Sequence, residues 1–145
     1  MVTPPDKRLF WLLSLAYRRA ASMADAGLEE LELTAAQAGA LFAIPAEGAA
    51  TVNEMAATLR VGQSAASGFA QRLEKSGLIS RQPDPEDSRY ALLVLTARGR
   101  ELRARAAARA QEFNARLRAE ATDEQIGLVA AWLQQIIAMK EEEET

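Results

Sequence analysis

Between Val52 and Leu95 the hydrophobic period of the chain changes repeatedly over a few short elements, and that order restricts the fold more than any other feature. Met55, Ala56 and Leu59 share one face of a short helix running from about Val52 or Asn53 to Arg60. Val61-Gly62 reads as the break, a turn wanting an apolar plug and a residue tolerant of unusual dihedrals. A second helix is expected from about Gln63 to Ser76, with Ala66, Phe69, Ala70 and Leu73 spaced as one buried stripe. Gly77 stands where a left-handed C-cap belongs, and Leu78 and Ile79 are placed to pack back onto the helix. Leu78 to Gln82 and Arg89 to Leu95 then read as two strands, joined by the turn-rich Pro83-Asp84-Pro85-Glu86-Asp87-Ser88 into a β-hairpin. For the second helix to lie steeply across the first, small residues such as Ala56, Ala57 and Ala66 are wanted at the crossing.

The flanks are helical. Leu9, Phe10, Leu12, Leu13, Ala16, Tyr17, Ala20 and Met23 recur at helical spacing from Asp6 to about Asp25, with Gly27 as the expected end. Thr34 with Gln37 forms a capping box that opens a helix carrying Leu41, Phe42 and Ile44, stopped by Pro45 and Gly48. Ala49 to Val52 is short and extended at most. Thr96 caps a long helix through about Arg118, and Thr122 with Gln125 caps a last one to about Lys140, lined by Ile126, Val129, Trp132, Leu133, Ile136 and Ile137. The run Glu141-Glu142-Glu143-Glu144 reads as a frayed acidic end. The expected fold is mainly α with a small β-hairpin wing. Residues 30–96 form a winged helix-turn-helix, and residues 1–29 and 97–145 form the flanking helical regions.

Composition removes several chemistries. The sequence has no cysteine and no histidine, which excludes disulfides, thiol sensing and the commonest metal ligand and general base. Acidic pairs such as Glu29 with Glu32, or Asp84 with Asp87, have no accompanying base or metal motif and read as surface, so neither an enzyme nor a cofactor is expected. No apolar run approaches the ~18 residues of a membrane span, and Arg18-Arg19 soon interrupts Trp11-Leu12-Leu13, so a cytoplasmic protein without a membrane partner is expected.

The formal net charge of −3 is unevenly spread. Residues 60–109 hold 10 basic and 5 acidic side chains, a local +5 between acidic ends. With positions 66, 69, 70 and 73 buried, Gln63, Ser64, Ala65, Ser67, Gly68, Gln71 and Arg72 face outward, short or hydrogen-bonding side chains suited to a major groove. Gly68 in mid-helix costs ~1 kcal/mol against alanine, which marks it as a place where a phosphate or base edge nears the backbone. Arg89 follows the hairpin loop and Arg81 lies at its other side, where cations meet a narrow minor groove.

The runs Leu73 to Arg81, Asp84 to Arg89 and Leu95 to Leu102, with Leu33-Thr34-Ala35-Ala36-Gln37 and Thr51 to Ala56, resemble the signature of the MarR (multiple antibiotic resistance regulator) family. The resemblance covers most of residues 30–105 and implies a sequence-specific transcription regulator, a repressor, acting as a homodimer on double-stranded DNA with a pseudo-palindromic operator. It implies a wing of Arg81, Asp87, Ser88 and Arg89, in which the arginine reaches the minor groove and the aspartate orients the wing's basic side chains. It also implies interleaved terminal helices, with Leu9, Leu12, Leu13, Trp132, Leu133, Ile136 and Ile137 as interface candidates. Members are often released from DNA by a small aromatic or phenolic effector; Trp11, Tyr17 and Phe42 are candidates to line its pocket, with core packing as their alternative. The rival reading is a winged-helix protein-interaction module that does not bind DNA. The outward face of the second helix departs from the family habit in carrying only Arg72 and Lys75 as cations.

Overall fold

The computed structural model describes residues 7–140; the expected helix start at Asp6 and the acidic run Glu141 to Glu144 lie outside the described residues. The chain divides into two compact units, one ending at Ala110 and one beginning at Gln111. In the first, α1 (Leu9–Leu28) leads through a 3-10 turn (Glu29–Leu31) to α2 (Ala35–Phe42). β1 (Ala49–Ala50), α3 (Val52–Leu59), α4 (Gln63–Lys75), β2 (Ile79–Pro83) and β3 (Ala91–Leu95) follow, and α5 (Ala97–Arg118) begins there. The second holds the end of α5 and α6 (Asp123–Ala138).

Three helices start on threonine capping boxes. The Thr34 hydroxyl accepts from the Gln37 amide at 3.1 Å while the Gln37 side chain accepts from the Thr34 amide at 2.9 Å. Thr51 with Glu54 and Thr122 with Gln125 repeat the arrangement on α3 and α6. Each cap is worth ~1 kcal/mol against alanine.

Helix ends correct two expectations. Gly27 does not stop α1, which continues to Leu28 and tightens into the 3-10 turn before the chain reverses at Glu32, φ 56°. Carrying on buries Leu28 and Leu31, each worth about 1.5–3 kcal/mol, against ~1 kcal/mol for glycine in a helix. In the turn between α3 and α4 the left-handed residue is Arg60, φ 53°, whereas Gly62 has an ordinary φ of −66° at the N-cap of α4. Val61 is 36% exposed and plugs nothing. Ala56 and Ala66 are buried as the helix crossing requires, but Ala57 faces outward. At the end of α4, Gly77 has φ 75°, as expected, and Leu78 and Ile79 are buried behind it.

The hairpin is part of a three-stranded antiparallel sheet of order β1-β3-β2. β2 and β3 pair from Ile79 opposite Leu95 to Pro83 opposite Ala91. The extended dipeptide Ala49-Ala50 adds the third strand, opposite Val94 and Leu93. Leu41, Ile44, Met55, Leu73 and Leu93 are the largest fully buried side chains, and Leu28 from α1 and Leu102 and Ala106 from α5 join the same core.

α5 is fastened to this core at two points. Thr96 donates its hydroxyl to the Gly77 carbonyl at 2.7 Å, and its amide to the Leu78 carbonyl at 3.0 Å. A Cβ added at Gly99 would lie 1.9 Å from the Leu78 carbonyl oxygen, so only glycine lets α5 approach β2 this closely. One turn on, the Arg103 guanidinium donates to the Leu41, Ile44 and Phe42 carbonyls at 3.2, 3.1 and 3.4 Å, satisfying the C-terminal end of α2. Its charge also suits the negative end of that helix. Replacing Arg103 by methionine keeps the length and removes the donors. We expect urea unfolding to show a loss of about 1–3 kcal/mol with an unchanged m value.

Candidate nucleic-acid interface

α4 presents two different sides. Ala66, Ala70 and Leu73 are buried and Phe69 half-buried, while Gln63, Ser64, Ser67, Gln71 and Arg72 are exposed and Gly68 between them is half-buried. The fold therefore gathers all six expected recognition positions on one outward face. The Arg72 guanidinium lies 5.1 Å from the Phe69 ring centroid. A Cβ at Gly68 would meet only that guanidinium, at 3.6 and 3.9 Å. These are ordinary contacts, so no crowding inside the fold calls for glycine there.

The wing is folded by its own polar groups. The Glu86 amide donates to the Asp84 carboxylate at 2.9 Å, and the Tyr90 amide to the Asp87 carbonyl at 3.1 Å. The Asp84 amide closes the loop by donating to the Tyr90 carbonyl at 3.1 Å. Within this turn Asp87 accepts from the Arg89 amide at 3.1 Å and from its guanidinium, Nε at 2.9 Å and Nη2 at 2.7 Å. The pairing aims Arg89 without hiding it: its side chain is 81% exposed, with the guanidinium 5.9 Å from the Tyr90 ring centroid. Ser88 is exposed beside it.

Arg81 does not join that tip. It sits on β2 opposite Leu93, its Nε 3.4 Å from the Glu74 carboxylate of α4. It braces the hairpin against the helix, whereas Arg89 lies in the loop beyond the paired strands. Its place in the strand register, well inside the ladder, was the signal available beforehand.

The guanidinium of Arg89, with the backbone amide beside it, holds the Asp87 carboxyl below its ordinary value, and Asp87 in turn raises Arg89. Whatever the pair contributes to wing order is thus present above the usual aspartate range and is lost as pH falls through the lowered Asp87 value.

On α1, Leu9 and Leu12 are exposed and Leu13 half-buried; on α6, Leu133 and Ile137 are exposed and Trp132 and Ile136 half-buried. The expected interface set omitted the most exposed apolar groups, among them Phe10 at 85% and Tyr17 at 75%. Phe10 and Tyr17, seven residues apart, continue the stripe that is buried further along at Leu28. Trp11 and Tyr17 are not core residues, and at six residues apart they point about 120° apart round the helix. Phe42 packs against the core with Arg103 over its ring at 5.9 Å. A separate open groove is lined by Asp25, Ala26, Glu29, Glu32, Leu33 and Thr34, whose carboxylates would repel an anion.

A supported helix with a hydrogen-bonding outward face, followed by a hairpin with a cationic tip, defines the winged helix-turn-helix class of DNA-binding proteins. The model of the MarR family matches residues 33–90. Over those residues the chain is similar to a family whose proteins are DNA-binding transcription regulators and not enzymes. Solved structures share the fold. A probable transcriptional regulator from Pseudomonas aeruginosa is 27% identical with a TM-score of 0.83, covering 90% of this chain and 98% of its own. BpsR of Bordetella bronchiseptica, whose DNA binding is regulated by 6-hydroxynicotinic acid, is 23% identical with a TM-score of 0.85, covering 95% and 100%. The C80S mutant of Escherichia coli MarR, solved with operator DNA, is 24% identical with a TM-score of 0.82, covering 90% and 94%. No curated protein matches the sequence significantly. Among the described residues no helix is long and apolar enough to cross a membrane.

The wing pair makes a direct prediction. Titrated by the NMR shift of its carboxyl carbon, Asp87 should have a pKa below the ordinary aspartate value, and Arg89→Ala should bring it back up. An unshifted Asp87 in the parent would mean that the pair does not persist in solution.

Proposed function

We propose that this chain is a repressor that binds a pseudo-palindromic operator as a homodimer and is released by a small aromatic ligand. The observation that carries the reading is the pairing of an exposed, hydrogen-bonding α4 face with an exposed Arg89 fixed by Asp87 at the tip of the adjacent wing. On this reading Gln63, Ser64, Ser67 and Gln71 meet base edges, Gly68 allows close approach, and Arg72 and Arg89 meet phosphates and the minor groove. Residues 30–96 act as the DNA-binding region, with 1–29 and 97–145 as the dimerisation region.

The homodimer is supported by apolar faces that the single chain leaves uncovered. The exposed groups of α1, and the apolar side chains of α6, none of which is fully buried, lose contact with water when a second copy covers them. Twofold symmetry then sets two copies of α4 about one DNA turn, ~34 Å, apart. Release by a ligand requires only that it bind better to the arrangement whose spacing does not fit DNA. The ligand control of BpsR makes aromatic acids the class to try first.

The test is selection of bound duplexes from a random pool, followed by affinity measurements over a range of salt. Selected duplexes should share two inverted half-sites. Arg89→Ala should weaken binding to all sequences and flatten the salt dependence, the log–log slope falling by about 2 per dimer. Gln71→Ala should instead alter the selected sequence. If no duplex is enriched and the protein shows no salt-sensitive affinity for DNA, the winged helix serves some other partner.

A further inference from the structure

We propose that Arg60, in the turn between α3 and α4, contacts a DNA phosphate at the rim of the groove that α4 enters. The inference rests on the DNA-binding reading and adds to it a residue placed by its backbone.

The same chain reversal ends both helices of the pair. After α3 the Val61 amide donates to the Ala56 carbonyl at 3.1 Å and the Arg60 amide to the Ala57 carbonyl at 3.3 Å. After α4 the Leu78 amide donates to the Leu73 carbonyl and the Gly77 amide to the Glu74 carbonyl, both at 3.0 Å. Each motif forces its middle residue into the left-handed region, φ 53° at Arg60 and φ 75° at Gly77. Glycine adopts that conformation freely, while any residue with a Cβ is pressed against the following carbonyl. At position 77 the chain uses the unstrained residue. At position 60 it holds a long cation in the strained one.

Among the described residues no side-chain contact of Arg60 repays that strain. Arg60 is exposed, and among the described residues the ion pairs and ring contacts run through other arginines. A second observation gives the charge a use. The leading half of α4 offers only Gln63, Ser64 and Ser67 as polar side chains, and its cations, Arg72 and Lys75, lie in the last turn. When such a helix enters the major groove by its N-terminal end and its supporting helix crosses the backbone, the turn between them lies against the phosphates at the groove edge. Arg60 is the cation at that end, three residues ahead of Gln63.

The test sets stability against binding in Arg60→Gly and Arg60→Lys, using the duplex selected by the parent. Arg60→Gly should unfold at the same or a higher temperature, yet bind DNA about tenfold more weakly at physiological salt. Its log–log salt slope should be shallower by about 2 per dimer, one phosphate per subunit, with the selected sequence unchanged. Arg60→Lys should keep the parent's slope. Arg60→Gly binding with the parent's affinity and slope would overturn the inference, as would a fall in unfolding temperature in both variants with equal loss of binding. Absence of DNA binding by the parent would remove the functional reading as well, which separates the two failures.

Discussion

The carbonyl of Leu78 is the point on which the winged-helix part of the molecule depends. It follows directly on the left-handed residue that ends α4, it belongs to the residue that leads into β2, and it accepts the Thr96 amide at 3.0 Å. Gly99 lets the first turn of α5 lie against it where a Cβ would come within 1.9 Å of the oxygen. The Thr96 hydroxyl joins the same knot, donating to the Gly77 carbonyl while accepting from the Gly99 amide at 3.0 Å. The end of α4, the base of the wing and the start of α5 are thus fixed to one another through backbone groups and the single Thr96 hydroxyl. Arg103, one turn further along α5, extends the grip to the end of α2. A displacement of the beginning of α5 is therefore felt at α4 and the wing together.

Electrostatics adds to this frame without holding it together. The described ion pairs lie at the surface, and no polar or charged side chain among the described residues is buried. Such pairs contribute little to stability, but they decide where cations stand. Glu74 keeps Arg81 against α4, Asp87 keeps Arg89 at the wing tip, and Glu30 holds Arg109 at 2.9 Å on α5. An acidic chain can still carry a basic region, because the positive charge is concentrated in residues 60–109 and part of it is held in fixed positions.

Much of this was readable in the residues, for physical reasons that differ from place to place. Thr34 with Gln37, Thr122 with Gln125, and Gly77 are local signals, satisfied by bonds spanning a few residues, and all hold. Thr51 with Glu54 is an equally local capping box that could have fixed the start of α3. The stripe of Ala66, Ala70 and Leu73 and the outward set of α4 follow from helical period alone. What depends on distant partners was not readable. Gly27 looks like a stop until Leu28 and Leu31 are seen in the core, and Ala49-Ala50 becomes a strand only because β3 has a free edge. Gly62 drew attention from Arg60, since a sequence shows which residue tolerates a strained backbone but not which one adopts it. Trp11, Tyr17 and Phe42 are aromatic residues on helices, but whether such rings share a pocket depends on how the elements carrying them pack.

The most direct test of the Leu78–Gly99 contact is native-state hydrogen exchange at the Thr96 amide, compared between the parent and Gly99→Ala. Overpacking against a backbone oxygen costs about 1–3 kcal/mol, so protection of that amide should fall at least about fivefold in the variant. Equal protection in the two proteins would show that α5 does not need its close approach to the wing, and the rigid junction would have to be abandoned.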